Sequence, residues 1–185
     1  MKNIGILASH NGSGFEAIHK AILENELDIN ISLVISNNTN AVVLQNAKKY
    51  NLTNFLVNSK TDENPDEKIY ALLKEYKCDY LFLSGYMKKL SSDIINSFKV
   101  LNSHPSLLPK YGGIGMYGRF VHEAVIINRE LESGVTIHEV SEEYDEGKIL
   151  LQNRLILSEN ESVDSLEAKI KNLEKSAIVE VLKNV

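Results

Sequence analysis

Short apolar runs alternate with helical repeats along the first hundred residues. Nearly continuous apolar runs are typical of strands buried on both faces of a parallel sheet. The predicted strands are Asn3–Ala8, Ile31–Ser36, Phe55–Val57, Tyr80–Leu83 and a run that starts at Val100 and ends before Pro105. The predicted helices between them are Ser13–Asn25, Asn40–Tyr50, Glu67–Lys77 and a short one from Ser91 to Phe98. This alternation indicates a doubly wound parallel sheet.

The second half of the chain changes pattern. A glycine-rich loop, Leu107–Tyr117, is long enough to be a lid or binding loop. The link between the next two strands is too short for a crossover, which makes them antiparallel. The predicted elements are helix Arg119–Arg129, strands Gly134–Val140 and Ile149–Ile156, and helix Leu166–Leu182. We expect an α/β fold, a Rossmann-like mostly parallel sheet with antiparallel C-terminal strands and helices on both faces, as a single domain over residues 1–185.

Composition narrows the class of protein. The net charge of −5 argues against a general nucleic-acid or membrane-surface binder, so an anionic ligand must be held by local donors. Cys78 is the single cysteine, which excludes an internal disulfide and disfavours a thiol-ligated metal site. No apolar run approaches a membrane span or a secretory leader. We expect a cytoplasmic protein, a monomer or homodimer, that acts on small molecules without a metal.

A glycine turn follows the first strand. Gly12, Ser13 and Gly14 lead directly into the first helix, and Ser13 and Glu16 have the spacing of a capping box. A strand, a glycine turn and a helix N-terminus together favour anion binding, because free N–H groups and the helix dipole converge there. A tight strand-to-helix turn without a ligand is the alternative interpretation.

Asn102 and His104 lie two residues apart at the end of the Val100 strand. Their side chains therefore point to the same side, at the strand edge where open α/β sheets bind ligands. A carboxamide and an imidazole suit a reaction in which a carbonyl oxygen gains charge and a proton moves. Asp145, in the acidic turn EEYDEG, would raise the pKa of His104 if it lay nearby. A polar strand end with a solvated histidine is the alternative.

These motifs together resemble a known family, the folate-dependent formyltransferases, and within it the glycinamide ribonucleotide transformylases of purine biosynthesis. The matching segments occur in family order and cover nearly the whole chain. They are SHNGSGFEAI, LSGYMKKL, LNSHPSLLPKYGG, SGVTIHEV, EEYDEGKILLQ and NLEKSAI. The segment N-x-H-P-S-L-L-P with a later D-x-G is specific for the wider family.

The resemblance implies formyl transfer from 10-formyltetrahydrofolate, as co-substrate, to the amine of the ribonucleotide. Asn102 and protonated His104 would stabilise the oxyanion, while Asp145 holds His104 protonated and relays protons through water. Residues implied to bind the ribonucleotide are Asn11, which supports the turn, Gly12, Ser13, Gly14 and Glu174. Residues implied to bind folate are Met87, Lys88, Lys89, Leu90, Asn102 and Val140. His138 matches a family position near the site.

Other functions remain open at this stage. A formyltransferase acting on initiator tRNA should carry a basic C-terminal domain, and a formyltetrahydrofolate hydrolase an N-terminal regulatory domain; we expect neither here. A sugar-nucleotide formyltransferase keeps N-x-H and the aspartate without needing the glycine turn. A non-catalytic nucleotide-binding module would use Asn102 and His104 only as polar lining.

Overall fold

A computed structural model describes all residues from Met1 to Val185. Seven strands and six helices alternate along the chain. The strands are β1 (Lys2–Leu7), β2 (Ile29–Ser36), β3 (Asn54–Leu56), β4 (Tyr80–Leu83), β5 (Lys99–His104), β6 (Glu132–Glu139) and β7 (Ile149–Ile156). The helices are α1 (Ser13–Leu23), α2 (Val42–Lys49), α3 (Pro65–Glu75), α4 (Ser92–Ser97), α5 (Arg119–Ile127) and α6 (Val163–Leu182).

The seven strands form one sheet in the order β3-β2-β1-β4-β5-β6-β7. β1 pairs in parallel with both β2 and β4, and β2 pairs in parallel with β3. β6 and β7 are antiparallel, as their short connection requires. The predicted α/β class, with a mostly parallel sheet and antiparallel C-terminal strands, is confirmed.

Internal contacts divide the chain into two compact units, Met1–Leu101 and Asn102–Val185. In the first unit, α1 and α2 pack on β2. In the second unit, α6 packs on β6 and β7 and also contacts α5. The expectation of a single domain over residues 1–185 stays a prediction.

The apolar runs supply the buried side chains that position each strand. In β1, Ile4, Ile6 and Leu7 have no exposed surface, and all four residues of β4 are buried. Burial on both faces explains why these strands read as continuous apolar runs rather than alternating ones. No helix is long and apolar enough to span a membrane.

Two helices, α3 and α6, begin earlier than their sequence patterns indicate; α6 was predicted from Leu166 but starts at Val163. Glu67 was the first predicted residue of α3, but the helix starts at Pro65. Asn64 caps it by accepting a hydrogen bond from the Glu67 amide. Proline is favoured at this position because the first helical N–H groups have no partner within the helix and the ring fixes a helical φ.

Candidate active site

The glycine turn, Gly12–Gly14, joins β1 to α1 in the first unit. Gly12 is the N-cap residue of α1 and has a left-handed backbone, with φ +68°. A Cβ at Gly12 would lie 2.6 Å from Val43 Cγ2, so the site requires glycine. No side chain caps α1, and the amides of Ser13 and Gly14 have no partner within the protein. The turn therefore presents two free N–H groups at the positive end of a helix dipole, the arrangement that binds anions.

The predicted capping box at the start of α1 is wrong. Glu16 does not reach back to the turn, because its carboxylate accepts hydrogen bonds from Asn46 Nδ2 (2.8 Å) and Tyr50 Oη (2.9 Å). The Ser13 hydroxyl is exposed and forms no cap. Both side chains that would have satisfied the first-turn amides are directed elsewhere, which leaves those amides available to a ligand.

Neighbouring residues hold the glycine turn in place. The carbonyl of His10 accepts a hydrogen bond from the Val43 amide (3.1 Å), and the Ser84 hydroxyl accepts one from the Phe15 amide (3.0 Å). The side chain of Asn11 is exposed, and its predicted support of the turn stays a prediction. Its contact with the ribonucleotide stays a prediction.

The predicted folate loop, Met87–Leu90, follows β4 in the same unit. Its first amide, that of Met87, donates to Ser9 Oγ (2.8 Å), and Ser9 directly follows β1 and Ala8. Met87 is half-exposed, Lys88 and Lys89 are exposed, and Leu90 is buried as an anchor. The loop is thus tied to the chain segment that leads into the glycine turn.

Two histidines flank one carboxylate in the second unit. Asp145 Oδ2 lies 3.5 Å from His104 Nδ1, and Asp145 Oδ1 lies 3.5 Å from His138 Nε2. Both imidazoles are buried, with 4% and 2% of their surface exposed. Asn102 Nδ2 lies 3.1 Å from His138 Nε2. We call these four residues, Asn102, His104, His138 and Asp145, the histidine cluster.

Each histidine of the cluster has one ring nitrogen tied to a backbone carbonyl. His104 Nε2 lies 2.7 Å from the carbonyl oxygen of Tyr111, and His138 Nδ1 lies 3.0 Å from that of Glu139. A carbonyl only accepts, so these nitrogens carry protons. The other nitrogen of each ring faces Asp145. Because His138 Nδ1 donates to the Glu139 carbonyl, Nε2 is the nitrogen that accepts from Asn102 Nδ2.

Asp145 is held in an unusual conformation by its turn. Its φ of +59° is left-handed, a region that residues other than glycine seldom occupy. Its Oδ2 accepts a hydrogen bond from the Gly113 amide (2.9 Å). Gly147 completes the D-x-G motif because a Cβ there would collide with the carbonyl oxygen of Glu139. The D-x-G motif therefore lets the backbone at Gly147 pack closely against that of Glu139, and this packing directs the Asp145 carboxylate towards the two imidazoles.

Burial and charge act in opposite directions on the titratable groups. Burial alone would raise the pKa of Asp145, but His138, the charge of His104 and the Gly113 amide together bring it below its ordinary value. Burial lowers the pKa of His104 by more than Asp145 and the Tyr111 carbonyl raise it. The predicted rise in the pKa of His104 is therefore wrong, because desolvation of the imidazolium exceeds the attraction of the carboxylate.

Glu174, on α6, lies beside the opposite side of β5. Its Oε1 accepts a hydrogen bond from the hydroxyl of Ser103. Burial raises the pKa of Glu174, although Ser103, Lys171 and Lys175 lower it. Ser103 stands between Asn102 and His104, so strand alternation directs it away from the histidine cluster and towards the helix.

The structure thus brings together the three predicted catalytic residues and adds partners that the sequence did not reveal. Asp145 lies beside His104, and Asn102 joins them through His138; the catalytic roles of the three stay predictions. His138 is a full member of the cluster, and the family resemblance was the signal that placed it near the site. The carbonyl of Tyr111 and the amide of Gly113 have no sequence signal, because every residue carries them. No group of three or more His, Cys, Asp or Glu side chains is arranged to hold a metal ion.

Comparisons with known proteins agree with this geometry. The sequence profile described as "Formyl transferase" matches residues 2–182. The chain is 34% identical over 187 residues to "Phosphoribosylglycinamide formyltransferase, chloroplastic" of Vigna unguiculata, covering 98% of this chain and 60% of that protein. It is 32% identical over 177 residues to "Phosphoribosylglycinamide formyltransferase" of Escherichia coli (strain K12), covering 93% of this chain and 81% of that protein.

A solved structure is similar along almost the entire chain. The crystal structure of glycinamide ribonucleotide transformylase 1 from Symbiobacterium toebii matches with a TM-score of 0.91 and 26% identity. The match covers 99% of this chain and 86% of that one. The chain thus spans less than two thirds of the plant relative but most of these two bacterial proteins.

Proposed function

This chain belongs to the formyl transferase family, and on that premise we propose that it transfers a formyl group from 10-formyltetrahydrofolate to the amine of glycinamide ribonucleotide. The single observation that carries the proposal is the half-buried carboxylate of Asp145 between the buried imidazoles of His104 and His138. The names of the bacterial and plant relatives support the choice of acceptor.

The reaction needs no covalent bond to the protein. The lone pair of the substrate amine attacks the formyl carbon, a C–N bond forms, and the formyl oxygen gains negative charge. Asn102 stabilises that oxygen through its amide, and His104 does so by taking up at Nδ1 the proton that the attacking amine loses, before that proton passes to N10. The bond between the formyl carbon and the folate nitrogen N10 then breaks. The amine loses one proton and N10 gains one, with Asp145 relaying the proton through water.

The lowered pKa of His104 means that the ring stabilises the transition state more than the resting state. A ring that is neutral in the resting protein gains stability from its proton only when negative charge develops beside it. Stabilisation that appears with the transition state accelerates the chemical step, whereas equal binding of ground and transition states does not. His104 then stabilises charge only as the oxyanion develops, with Asp145 as the counter-charge beside the same ring nitrogen, Nδ1.

The remaining predicted contacts belong to the two substrates. The amides of the glycine turn bind the ribonucleotide phosphate, Asn11 contacts the ribonucleotide and Glu174 binds its sugar. Met87, Lys88, Lys89, Leu90, Asn102 and Val140 bind the pterin of the co-substrate. Lys88→Ala should raise the KM for 10-formyltetrahydrofolate more than the KM for the ribonucleotide; equal changes in both would remove Lys88 from the folate site.

A direct assay tests the function. Purified protein is mixed with 10-formyltetrahydrofolate and glycinamide ribonucleotide, and formylated ribonucleotide is measured together with free formate. We expect transfer that depends on the acceptor and little formate without it. Formate release without acceptor would instead indicate a hydrolase, and transfer only to a sugar nucleotide or to initiator tRNA would indicate a different formyltransferase. No product with any of these acceptors would indicate a binding module, and product formation that is unchanged in His104→Ala would remove His104 from the mechanism.

A further inference from the structure

A surface carboxylate anchors the loop that contacts His104. Glu130 Oε1 accepts a hydrogen bond from Tyr111 Oη (2.9 Å), and Lys110 Nζ lies 3.1 Å from each Glu130 oxygen. Lys110 and then Tyr111 lower the pKa of Glu130, so the carboxylate is charged at neutral pH. Glu130, Lys110 and Tyr111 form a connected set that we call the loop anchor.

The backbone of Glu130 is itself fixed. Glu130 follows the C-terminus of α5, where its amide donates to the carbonyl of Val125 (3.2 Å) and the amide of Arg129 donates to that of Ile126 (3.0 Å). Arg129 has a left-handed φ of +52°. This pair of bonds is a Schellman motif, a common and rigid helix ending. The carboxylate therefore extends from a defined point of the fold.

Tyr111 turns its carbonyl towards His104 by adopting an uncommon backbone conformation. Its φ is +57°, in the left-handed region. Such a conformation persists at a residue other than glycine when surrounding contacts over-determine it. The Tyr111 side chain is bonded to Glu130, and the preceding carbonyl, that of Lys110, accepts from Ser106 Oγ (2.6 Å). Both ends of this residue are thus held while its carbonyl lies 2.7 Å from His104 Nε2.

Two acceptors compete for the single proton of neutral His104. The Tyr111 carbonyl is within hydrogen-bond distance of Nε2, whereas Asp145 Oδ2 is 3.5 Å from Nδ1. A carboxylate is the stronger acceptor at equal distance, because charge-assisted bonds are stronger. Without a well-placed carbonyl, the neutral ring would put its proton on Nδ1, facing Asp145. The position of the carbonyl therefore decides which nitrogen is left without a proton.

We propose that Glu130 is a positioning residue for the reaction: through Tyr111 and Lys110 it aims the Tyr111 carbonyl at His104 Nε2 and so reserves Nδ1 for the proton that moves. This inference rests on the proposed function for its catalytic meaning, although the tautomer itself is a property of the protein alone. Glu130 is not within contact of the histidine cluster and acts only through the loop anchor.

The ion pair between Glu130 and Lys110 contributes little to the stability of the fold. The Lys110 side chain is 66% exposed and that of Glu130 is 22% exposed, and ion pairs with an exposed partner add little to stability. Removal of the carboxylate should therefore leave the fold intact while the Tyr111 carbonyl moves. Glu132 offers a matched control, because it lies two residues away and its Oε1 pairs with Arg154 Nη1 (2.6 Å) without contacting the loop anchor.

The test combines a tautomer measurement with kinetics. Protein labelled with ¹⁵N at histidine is studied by NMR, with the His104 signals identified by their loss in His104→Asn. In the wild type we expect the neutral ring to carry its proton on Nε2. In Glu130→Ala we expect a second population protonated on Nδ1. The turnover number kcat should fall about ten-fold, in the range seen when groups that orient an active-site residue are removed, and both KM values should change less than about two-fold.

Two further variants separate positioning from general damage. Glu130→Gln keeps an oxygen that accepts from Tyr111 Oη and should retain the wild-type tautomer and most of kcat. Tyr111→Phe removes that hydroxyl while keeping the carbonyl, and should show the Glu130→Ala tautomer change to a smaller degree. Thermal unfolding of each variant shows whether the fold is retained.

The outcomes discriminate between the two proposals. An unchanged His104 tautomer with unchanged kcat in Glu130→Ala would overturn the positioning role even if the wild type transfers formyl groups. The same tautomer change in Glu132→Ala would also overturn it, because the effect would then be a general loosening of the structure. If the wild type transfers no formyl group but Glu130→Ala shifts the tautomer, positioning stands and the proposed function fails.

Discussion

The glycine turn and the histidine cluster solve the problem of holding a charged group in opposite ways. The turn offers backbone amides of Ser13 and Gly14, and its side chains are absent or exposed. The cluster offers buried side chains whose backbone partners, the carbonyls of Tyr111 and Glu139, only fix their orientation. Backbone donors suit a permanent anion, since they never titrate. Side chains that gain and lose protons suit charge that appears only during the reaction.

The difference also lies in how far apart the partners are in sequence. The turn is local, and Gly12 to Gly14 complete it within three residues. The cluster joins Asn102 and His104 at the end of β5 to His138 on β6 and to Asp145 in the following turn. Substitutions should therefore act on binding in the first region and on chemistry in the second.

The largest expected effect lies in the histidine cluster. His104→Ala and Asp145→Asn should each lower kcat about 10²-fold or more, because each removes part of the electrostatic stabilisation of the oxyanion. The double variant should lose about as much as either single one, since residues acting as a unit are not additive. Steady-state kinetics of the three variants measure this. Glu146→Gln, an exposed neighbour of Asp145, is the control and should be near wild type.

Additive losses in that cycle would contradict the cluster as a unit. If the logarithms of the two single losses summed in the double variant, His104 and Asp145 would act independently, and the 3.5 Å approach of Nδ1 to Oδ2 would be incidental.

A smaller effect, on KM rather than on kcat, is expected at the glycine turn. Gly12→Ala adds a Cβ 2.6 Å from Val43 Cγ2 at a left-handed φ, so the turn must shift. Strain of this kind costs on the order of 1–3 kcal/mol, which corresponds to a rise of about five-fold to 150-fold in the KM for the ribonucleotide. We expect kcat to change much less. Kinetics at saturating 10-formyltetrahydrofolate measure both values.

Ser13→Ala in the same turn provides the matched comparison. It keeps the amide and removes a hydroxyl that forms no cap, so the KM should change less than about two-fold, as for an uninvolved surface group. A rise in KM as large as that of Gly12→Ala would mean that the hydroxyl, rather than the backbone, binds the phosphate.

The two regions also differ in how much of them could be predicted from sequence. The strands and helices follow from apolar runs and helical spacing, and β7 was predicted with its observed bounds. The helix start at Ser13 was correct, but its stated reason was not, because Glu16 is bonded to Asn46 and Tyr50, some 30 residues away. The capping-box spacing involves only neighbouring residues, so it cannot show that a residue distant in sequence binds the Glu16 carboxylate instead.

In the histidine cluster, the sequence identified residues but could not predict their protonation. Residue type and spacing identified Asn102, His104 and Asp145, but the direction of the pKa shift of His104 depends on burial, which N-x-H does not encode. The group that fixes the proton of His104 on Nε2 is the backbone carbonyl of Tyr111, which no pattern of residue types can predict. Sequence therefore identified which side chains meet, and the structure was needed to show their protonation and their orientation.

The smallest expected effect concerns pH, which should act on the side-chain region and not on a turn made of amides. His122, on α5 in the same unit as the cluster, is buried, and its Nδ1 has no partner. Burial lowers its pKa more than Glu167 raises it. In the unfolded chain His122 therefore binds a proton near pH 6.5, the ordinary histidine value, whereas in the folded chain it binds that proton only at lower pH.

The sign of the effect follows from that proton. The contribution of His122 to stability is fully present above about pH 6.5 and is lost as the pH falls towards its lower folded value. His104, also shifted down, acts in the same direction, whereas the raised pKa of Glu174 opposes it. Urea unfolding at pH 7.5 and 5.5 should show a smaller loss of stability in His122→Gln than in the wild type. Equal losses in the two proteins would mean that folded His122 accepts the proton, and that burial in this unit does not govern its histidines.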